Sequence, residues 1–169
     1  MCLLQYEKAS GGDSMNWRDL SVSACGTYHE CDGQPAYSGR FDEVLKFHAP
    51  GLAPVKCGDE AWHVGPDGNA VYSRRFIRTF GFYEGFAAVQ AQDGWHHIHP
   101  DGSDAYPERY DWCGNFQGGR CTARLFDGRY RHVLSDGSFS YPETWRYAGD
   151  YKDGFCVIQS DAGLCTHLD

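Results

Sequence analysis

Short apolar runs alternate with turn residues along most of this chain, and this spacing predicts strands. In residues 86–119, a run of small and β-branched residues ends at Asp93-Gly94. An aromatic and β-branched run then ends at Pro100-Asp101-Gly102. Asp-Gly favours a tight hairpin because glycine adopts positive φ at little cost. With a third strand over 103–112, the pattern predicts a small antiparallel meander. Only 18–23 and 42–47 resemble helices.

The same pattern recurs with a period of 34 or 35 residues, and the repeat defines the architecture. Five histidines, four turn glycines and four tyrosines fall in register: His29, His63, His97, His132 and His167; Gly33, Gly68, Gly102 and Gly137; Tyr37, Tyr72, Tyr106 and Tyr141. Two Gly-containing turns per period are incompatible with a helix pair. The sequence therefore predicts an all-β fold of stacked antiparallel hairpins or meanders, forming an open superhelix or solenoid-like array.

The repeat columns predict one repeat domain with five units after an N-terminal segment. The predicted boundaries are a tail and cap at 1–20, a degenerate first repeat at 21–51, repeats at 52–85, 86–119 and 120–154, and an incomplete fifth repeat at 155–169. The fifth unit stops at His167-Leu168-Asp169, before its turn glycine is due. This predicts either a continuation in a longer protein or a partner that completes the edge.

Composition narrows the classes of partner. The formal net charge is −8, and Phe, Tyr and Trp make up 15% of the residues. A nucleic-acid backbone or an anionic membrane surface requires a positive field, so neither is expected as the main partner. The N-terminus has no signal-peptide pattern, and no apolar run reaches the length of a membrane span. These features predict a cytoplasmic protein with a protein partner. The oligomeric state stays open.

The eight cysteines are predicted to be reduced packing residues and not a disulfide framework or zinc site. Cys121 and Cys156 occupy the repeat column that holds Ala53 and Ala87 in other units. A small residue that interchanges with alanine is typical of a buried packing position.

The histidine column is the sharpest chemical feature. Three strands per unit would place equivalent residues about 14 Å apart, too far for one zinc ion to bridge two units. Each histidine is therefore predicted to pack on aromatic side chains and to make one hydrogen bond that fixes the next turn. His97 and His99 share one strand face and are the fallback metal site. No other metal site and no cofactor are predicted.

The chain resembles the WG-containing repeat family of bacteria in segments that cover nearly everything from about Ser21 onward. The matching segments are Phe86-Ala87-Ala88-Val89, Gly94-Trp95, and His97-Ile98 to Asp101-Gly102. His96 stands where the family has its glycine, so the chain is similar to a histidine-rich variant of the repeat. The resemblance implies a β-rich interaction module that serves a larger protein, in some cases one with a methyltransferase domain.

The predicted function is a non-catalytic protein-binding or scaffolding module. Its binding surface is predicted to consist of arginines and of aromatic residues that are expected to be exposed near the turns. The predicted binding residues are Arg74, Arg75, Arg109, Trp95, Trp112, Trp145 and Tyr147. Arginine with tyrosine and tryptophan is typical of interface hot spots. Two alternatives stay open: a metal- or small-ligand-binding protein that uses the histidines, and an enzyme with a Cys-His site. No catalytic motif is present, so no catalytic residue is assigned.

Overall fold

The computed structural model describes residues 15–169, which form five three-stranded antiparallel sheets. The strands are β1 (Ser21–Val22), β2 (His29–Cys31), β3 (Gln34–Pro35), β4 (Glu43–Val44), β5 (Ala53–Cys57), β6 (Glu60–Val64), β7 (Arg78–Tyr83), β8 (Phe86–Ala91), β9 (Gly94–Ile98), β10 (Trp112–Cys113), β11 (Arg120–Arg124), β12 (Tyr130–Leu134), β13 (Tyr147–Ala148), β14 (Cys156–Gln159) and β15 (Cys165–Leu168). Each sheet takes three consecutive strands, and we number the sheets 1 to 5. The predicted all-β class is confirmed.

Helical structure within residues 15–169 is limited to one 3₁₀ turn, Trp17–Asp19. The helix-like pattern at 42–47 is wrong, because β4 lies within it and pairs with β5. Among the described residues, no helix is long and apolar enough to cross a membrane.

The hairpin at the centre of the chain follows the sequence pattern closely. β8 pairs with β9 in the register Ala88 with His97 and Ala91 with Gly94. Gly94 has φ of 127°, in the region that favours glycine. The predicted third strand over 103–112 is mostly irregular, since only two isolated bridges join it to β9, at Asp104 and Tyr110. Pro107 in this stretch has no N–H to donate to a ladder.

The sheets are offset by one strand from the units drawn from the sequence. Residues 86–119 contain β8, β9 and β10, but β10 pairs with β11 and belongs to sheet 4. The first strand of sheet 3 is β7, which precedes residue 86. The irregular stretch that follows the third strand of a sheet therefore leads to the next sheet and adds no strand to the sheet before it.

Apolar side chains are buried mainly between successive sheets. The largest cluster joins Ala88 and Trp95 of sheet 3 to Cys113 and Val133 of sheet 4. Cys121 and Cys156 are 2% and 3% exposed, which confirms that they are packing residues. Nearest-neighbour burial of this kind makes each sheet depend on the next for its core.

The glycine and tyrosine columns meet at the contact between neighbouring sheets. The ring of Tyr72, from the stretch after sheet 2, lies against Gly102 in the turn after sheet 3. Tyr37 lies against Gly68 and Tyr106 against Gly137 in the same way. A Cβ at Gly102 would lie 2.6 Å from Cγ of Tyr72, so this position requires glycine for space as well as for positive φ.

Replacement of Gly102 by Ala is expected to lower the free energy of unfolding by about 2–4 kcal/mol, because φ strain adds to the clash with Tyr72. Gly128 is the matched control, since its φ of 84° is like that of Gly102 and a Cβ there would meet open space. Gly128→Ala should cost about 1 kcal/mol. Urea unfolding of both variants measures the difference, and equal costs would contradict the packing role of the glycine.

Candidate functional site

Four of the five repeated histidines are fully buried, and each joins two sheets. In each of them Nδ1 contacts the hydroxyl of the tyrosine eight or nine residues later. The Nδ1–Oη distance is 2.5 Å in His29–Tyr37, His63–Tyr72 and His132–Tyr141, and the fourth pair is His97–Tyr106. In each of them Nε2 contacts a carbonyl oxygen of the next sheet: Leu45 at 2.8 Å, Phe80 at 2.8 Å, Gly114 at 2.8 Å and Gly149 at 2.9 Å.

These partners fix the protonation state of the imidazole rings. A carbonyl oxygen can only accept, so Nε2–H donates to it and Nδ1 accepts from the tyrosine hydroxyl. Burial lowers the pKa of His63 and of His97 to about 4. Burial also raises the pKa of Tyr37 to about 12, so its hydroxyl keeps its proton. The four rings are neutral near pH 7, with both nitrogens engaged.

The prediction for the histidine column is confirmed in its main point and revised in its detail. Each buried ring packs on an aromatic ring of the next sheet, for example His63 on Phe82 with centroids 4.6 Å apart. Each ring makes two hydrogen bonds where one was expected, and one of them crosses to the next sheet. We call this His–Tyr–carbonyl arrangement the inter-sheet lock.

His167 occupies the same column and differs from the other four. It lies on β15, pairs with Val157 on β14 and is exposed. The locks of the other sheets take their tyrosine and carbonyl from residues further along the chain.

The fallback metal pair does not present two free imidazoles. Both nitrogens of His97 take part in its inter-sheet lock, while the ring of His99 packs on Phe86 at 5.3 Å. Within residues 15–169, no three His, Cys, Asp or Glu side chains are grouped so that they could hold a metal ion.

The structure brings Arg74 and Arg109 together through Asp104. Arg74 donates to one carboxylate oxygen and Arg109 to the other, both at 2.5 Å. Burial would raise the pKa of Asp104, but the hydrogen bonds from the two arginines outweigh it and lower the pKa to about 2. Arg109 also contacts Asp93 at 3.0 Å. These two predicted binding residues therefore belong to an ion-pair network with Asp93 and Asp104.

Arg75 lies apart from that network and supports its own loop. Its guanidinium covers the ring of Trp62 at 4.4 Å and donates to the carbonyls of Tyr72, Ser73 and Arg74. Arg109 donates in the same way to the three carbonyls that precede it. The backbone carbonyls of an irregular segment have no hydrogen-bond partner on a neighbouring strand. The guanidinium groups of these two arginines donate to them instead.

The predicted aromatic residues do not form one exposed surface. The expectation that Trp95 is exposed is wrong: it is 6% exposed and stacks on Phe80, because sheet 4 covers the position. Trp112 and Trp145 are half-buried, and Tyr147 is 48% exposed.

The thiols do not form an activated Cys-His pair among the described residues. Cys113 Sγ lies 3.8 Å from His97 Nδ1, but burial raises the thiol pKa well above its usual range. Cys25 is exposed, and hydrogen bonds from the hydroxyls of Ser23 and Thr27 lower its pKa to about 7. Neither hydroxyl is a base that could accept the thiol proton.

The outer face of sheet 5 is the surface that sequence reasoning missed. We define it by Phe155, Val157 and His167. Val157 is 42% exposed, whereas Ala88 and Thr122 in the same column are 0% and 2% exposed under the next sheet. Phe155 is 55% exposed, whereas its counterpart Phe86 packs on Phe116 of the next sheet at 4.8 Å. The repeat columns themselves contain the signal, since they identify which positions an adjacent sheet covers.

Comparisons with known proteins support the fold. No family model matches the chain, and no curated protein matches it. Among solved structures, BamB from Moraxella catarrhalis aligns with 100% of this chain and 59% of its own, with a TM-score of 0.56 and 13% identity. The computationally designed Ika4 protein aligns over 80% of this chain and 98% of its own, with a TM-score of 0.51 and 12% identity.

A third similarity, to the WD40 β-propeller domain of Doa1, has a TM-score of 0.43 at 16% identity and is too weak to support an inference. At these identities the similarities to BamB and Ika4 show a shared arrangement of β-sheets and no shared activity. The chain spans about three fifths of BamB. The resemblance to WG repeats stays a prediction.

Proposed function

We propose that this chain is a non-catalytic β-repeat binding or scaffolding module whose outer face of sheet 5 binds a protein partner. One observation carries the proposal. Phe155 and Val157 are exposed at positions where the preceding sheets pack on their neighbours. Exposed apolar side chains grouped on a sheet face are typical of a protein interaction site.

The internal contacts indicate the chemistry of that partner. In the four inter-sheet locks, the covering sheet supplies an aromatic ring and a backbone carbonyl for the histidine. A partner that presents the edge of a β-sheet with an aromatic side chain would give His167, Phe155 and Val157 the same contacts.

The array is proposed to be open, in keeping with the open superhelix that the sequence predicts. The resemblance to WG repeats adds a finer hypothesis, in which the module recruits a substrate or partner for a larger bacterial cytoplasmic protein, such as one with a methyltransferase domain. This hypothesis rests on the resemblance alone.

The two alternative functions have less support from the site. A metal-binding role for the histidine column needs free imidazole nitrogens, and the inter-sheet locks use them in four of the five histidines. A Cys-His enzyme needs a thiol that loses its proton easily beside a base. Cys113 has the base and a raised pKa, whereas Cys25 has the lowered pKa without the base.

Photo-crosslinking tests the proposed face. A benzoylphenylalanine at position 157 should give a discrete crosslinked product in lysate of the source organism, and mass spectrometry would identify the captured protein. The same group at Phe139, which is 38% exposed on another sheet, is the matched control. A Phe155→Arg change should abolish the product from position 157. Equal products from both positions, or none from position 157, would refute the proposed surface.

A further inference from the structure

A cleft of about 440 Å³ lies where the turns of sheets 3, 4 and 5 meet. Three of the residues that line it are Arg120 from sheet 4, and Tyr151 and Lys152 from the turn before β14. The guanidinium of Arg120 covers the ring of Tyr151 at 4.5 Å from its centroid. The cleft is therefore a part of the contact between two successive sheets.

All three residues differ in type from the residues at the equivalent positions of the other repeats. The column of Arg120 holds Leu52, Phe86 and Phe155; the column of Tyr151 holds Phe47, Phe82 and Phe116; the column of Lys152 holds His48, Tyr83 and Gln117. At the equivalent contact between sheets 3 and 4, Phe86 packs on Phe116 at 4.8 Å. Packing alone is satisfied by apolar side chains at the positions of Arg120 and Tyr151, so it does not account for a cation and a hydroxyl there.

The two cations in the cleft have no ion-pair partner within residues 15–169. Other arginines of the chain do: Arg74, Arg109, Arg124 and Arg129 each contact an aspartate at 3.0 Å or less. The positive charge of Arg120 and Lys152 is therefore available to a ligand.

The hydroxyl of Tyr151 is a buried polar group without a hydrogen bond of ordinary geometry to any described residue. Its side chain is 6% exposed. Burial, together with the nearby Cys156 thiol, raises the pKa of Tyr151 above its usual range. A buried hydroxyl without a partner destabilises a fold. A ligand that accepts a hydrogen bond from this hydroxyl would remove that cost.

Two carboxylates also border the cleft, at Glu84 and Asp153. Glu84 accepts hydrogen bonds from the backbone N–H groups of Gly118 and Gly119 at 2.7 and 2.8 Å, so both of its carboxylate oxygens are already hydrogen-bonded. Asp153 is exposed at the tip of its turn. It opposes an anion in the cleft, and its removal should therefore strengthen anion binding.

We propose that this cleft binds an oxyanion, a carboxylate or phosphate group, through Arg120, Lys152 and the Tyr151 hydroxyl. The two cations supply charge-assisted hydrogen bonds, and the hydroxyl donates a third. The site is separate from the outer face of sheet 5, because Tyr151 faces sheet 4. The proposal therefore stands or falls independently of the protein-binding face.

The test is an amide NMR titration of the isotope-labelled chain with two probes, inorganic phosphate and a capped oligo-glutamate peptide. Saturable shifts of the Gly118, Gly119 and Gly154 signals are expected. Tighter binding of phosphate would indicate a small-molecule anion, and tighter binding of the peptide an acidic protein segment. Either result supports the site, whereas the absence of saturable shifts with both probes would overturn it.

The repeat supplies variants that preserve packing, because each substitution restores a residue found in the same column. The triple variant Arg120→Leu, Tyr151→Phe, Lys152→Gln should melt no lower than the wild type and bind the probe at least about tenfold more weakly. Asp153→Asn should bind about threefold more tightly. Arg146→Gln, which removes an exposed arginine outside the cleft, is the charge control. Equal affinity of the folded triple variant and the wild type would refute the proposal.

Discussion

Replacement of His97 by Ala is expected to lower the free energy of unfolding by about 3–5 kcal/mol. The side chain is fully buried, so the change leaves a cavity between sheets 3 and 4. It also leaves the Tyr106 hydroxyl and the Gly114 carbonyl without their partner. Each unsatisfied buried group adds about 1–3 kcal/mol to the loss. Urea unfolding followed by circular dichroism measures it.

His167 is the control for this experiment, because it has the same repeat position and is exposed. His167→Ala should change the free energy of unfolding by less than about 0.5 kcal/mol. Tyr106→Phe removes only the hydroxyl and should cost about 1–2 kcal/mol. If the bond connects the two groups, the double variant should cost less than the sum of the single variants. Additive costs would contradict the inter-sheet lock.

The free energy of unfolding is expected to fall steeply as the pH drops from 6.5 to 4, because the buried histidines stay neutral in the folded state over this range. Burial lowers the pKa of His63 and of His97 to about 4. In the unfolded chain the pKa of histidine is about 6.5, so the unfolded state takes up protons first as the pH falls. The stabilising contribution is fully present above pH 6.5. It is lost as the pH drops towards 4.

Each of these two histidines removes about 1.4 kcal/mol of stability per pH unit within that window, or roughly 4 kcal/mol for the pair at pH 5. Burial lowers the pKa of His29 and His132 in the same direction, which adds to the loss. The low pKa of Asp104 acts in a separate window, from about pH 4 down to about 2, because the folded carboxylate stays charged there while the unfolded one takes up its proton. Urea midpoints at pH 7.5, 6 and 5 measure the effect. A constant free energy of unfolding over this range would contradict neutral, buried histidines.

Much of the fold could be predicted because the repeat carries local information. Asp93-Gly94 specifies a hairpin by its backbone preference, and Ala88 and Val89 lie on a strand with the expected pairing. The offset of the sheets could not be predicted in the same way. A periodic sequence fixes the spacing of strands, but it does not show whether β10 pairs with the strand before it or with the strand after it.

The inter-sheet lock and the arginine contacts were beyond the sequence for a related reason. His97 contacts Tyr106 across an irregular stretch and Gly114 on the next sheet, and neither separation follows strand or helix geometry. The sequence predicts Arg109 as a binding residue from its residue type alone. In the structure its side chain contacts three backbone carbonyls and two aspartates. The exposure of Val157 depends on whether another sheet covers it, and only the comparison between repeats, not the residues around Val157, points to that position.

The most direct test of this account is nitrogen NMR of the chain with isotope-labelled histidine, recorded from pH 8 to pH 6. The account predicts that His29, His63, His97 and His132 all show the neutral form with the proton on Nε2, and that these four signals do not shift over this range. If any of the four carries its proton on Nδ1, or titrates near pH 6.5, the histidines do not lock one sheet to the next and the account is contradicted.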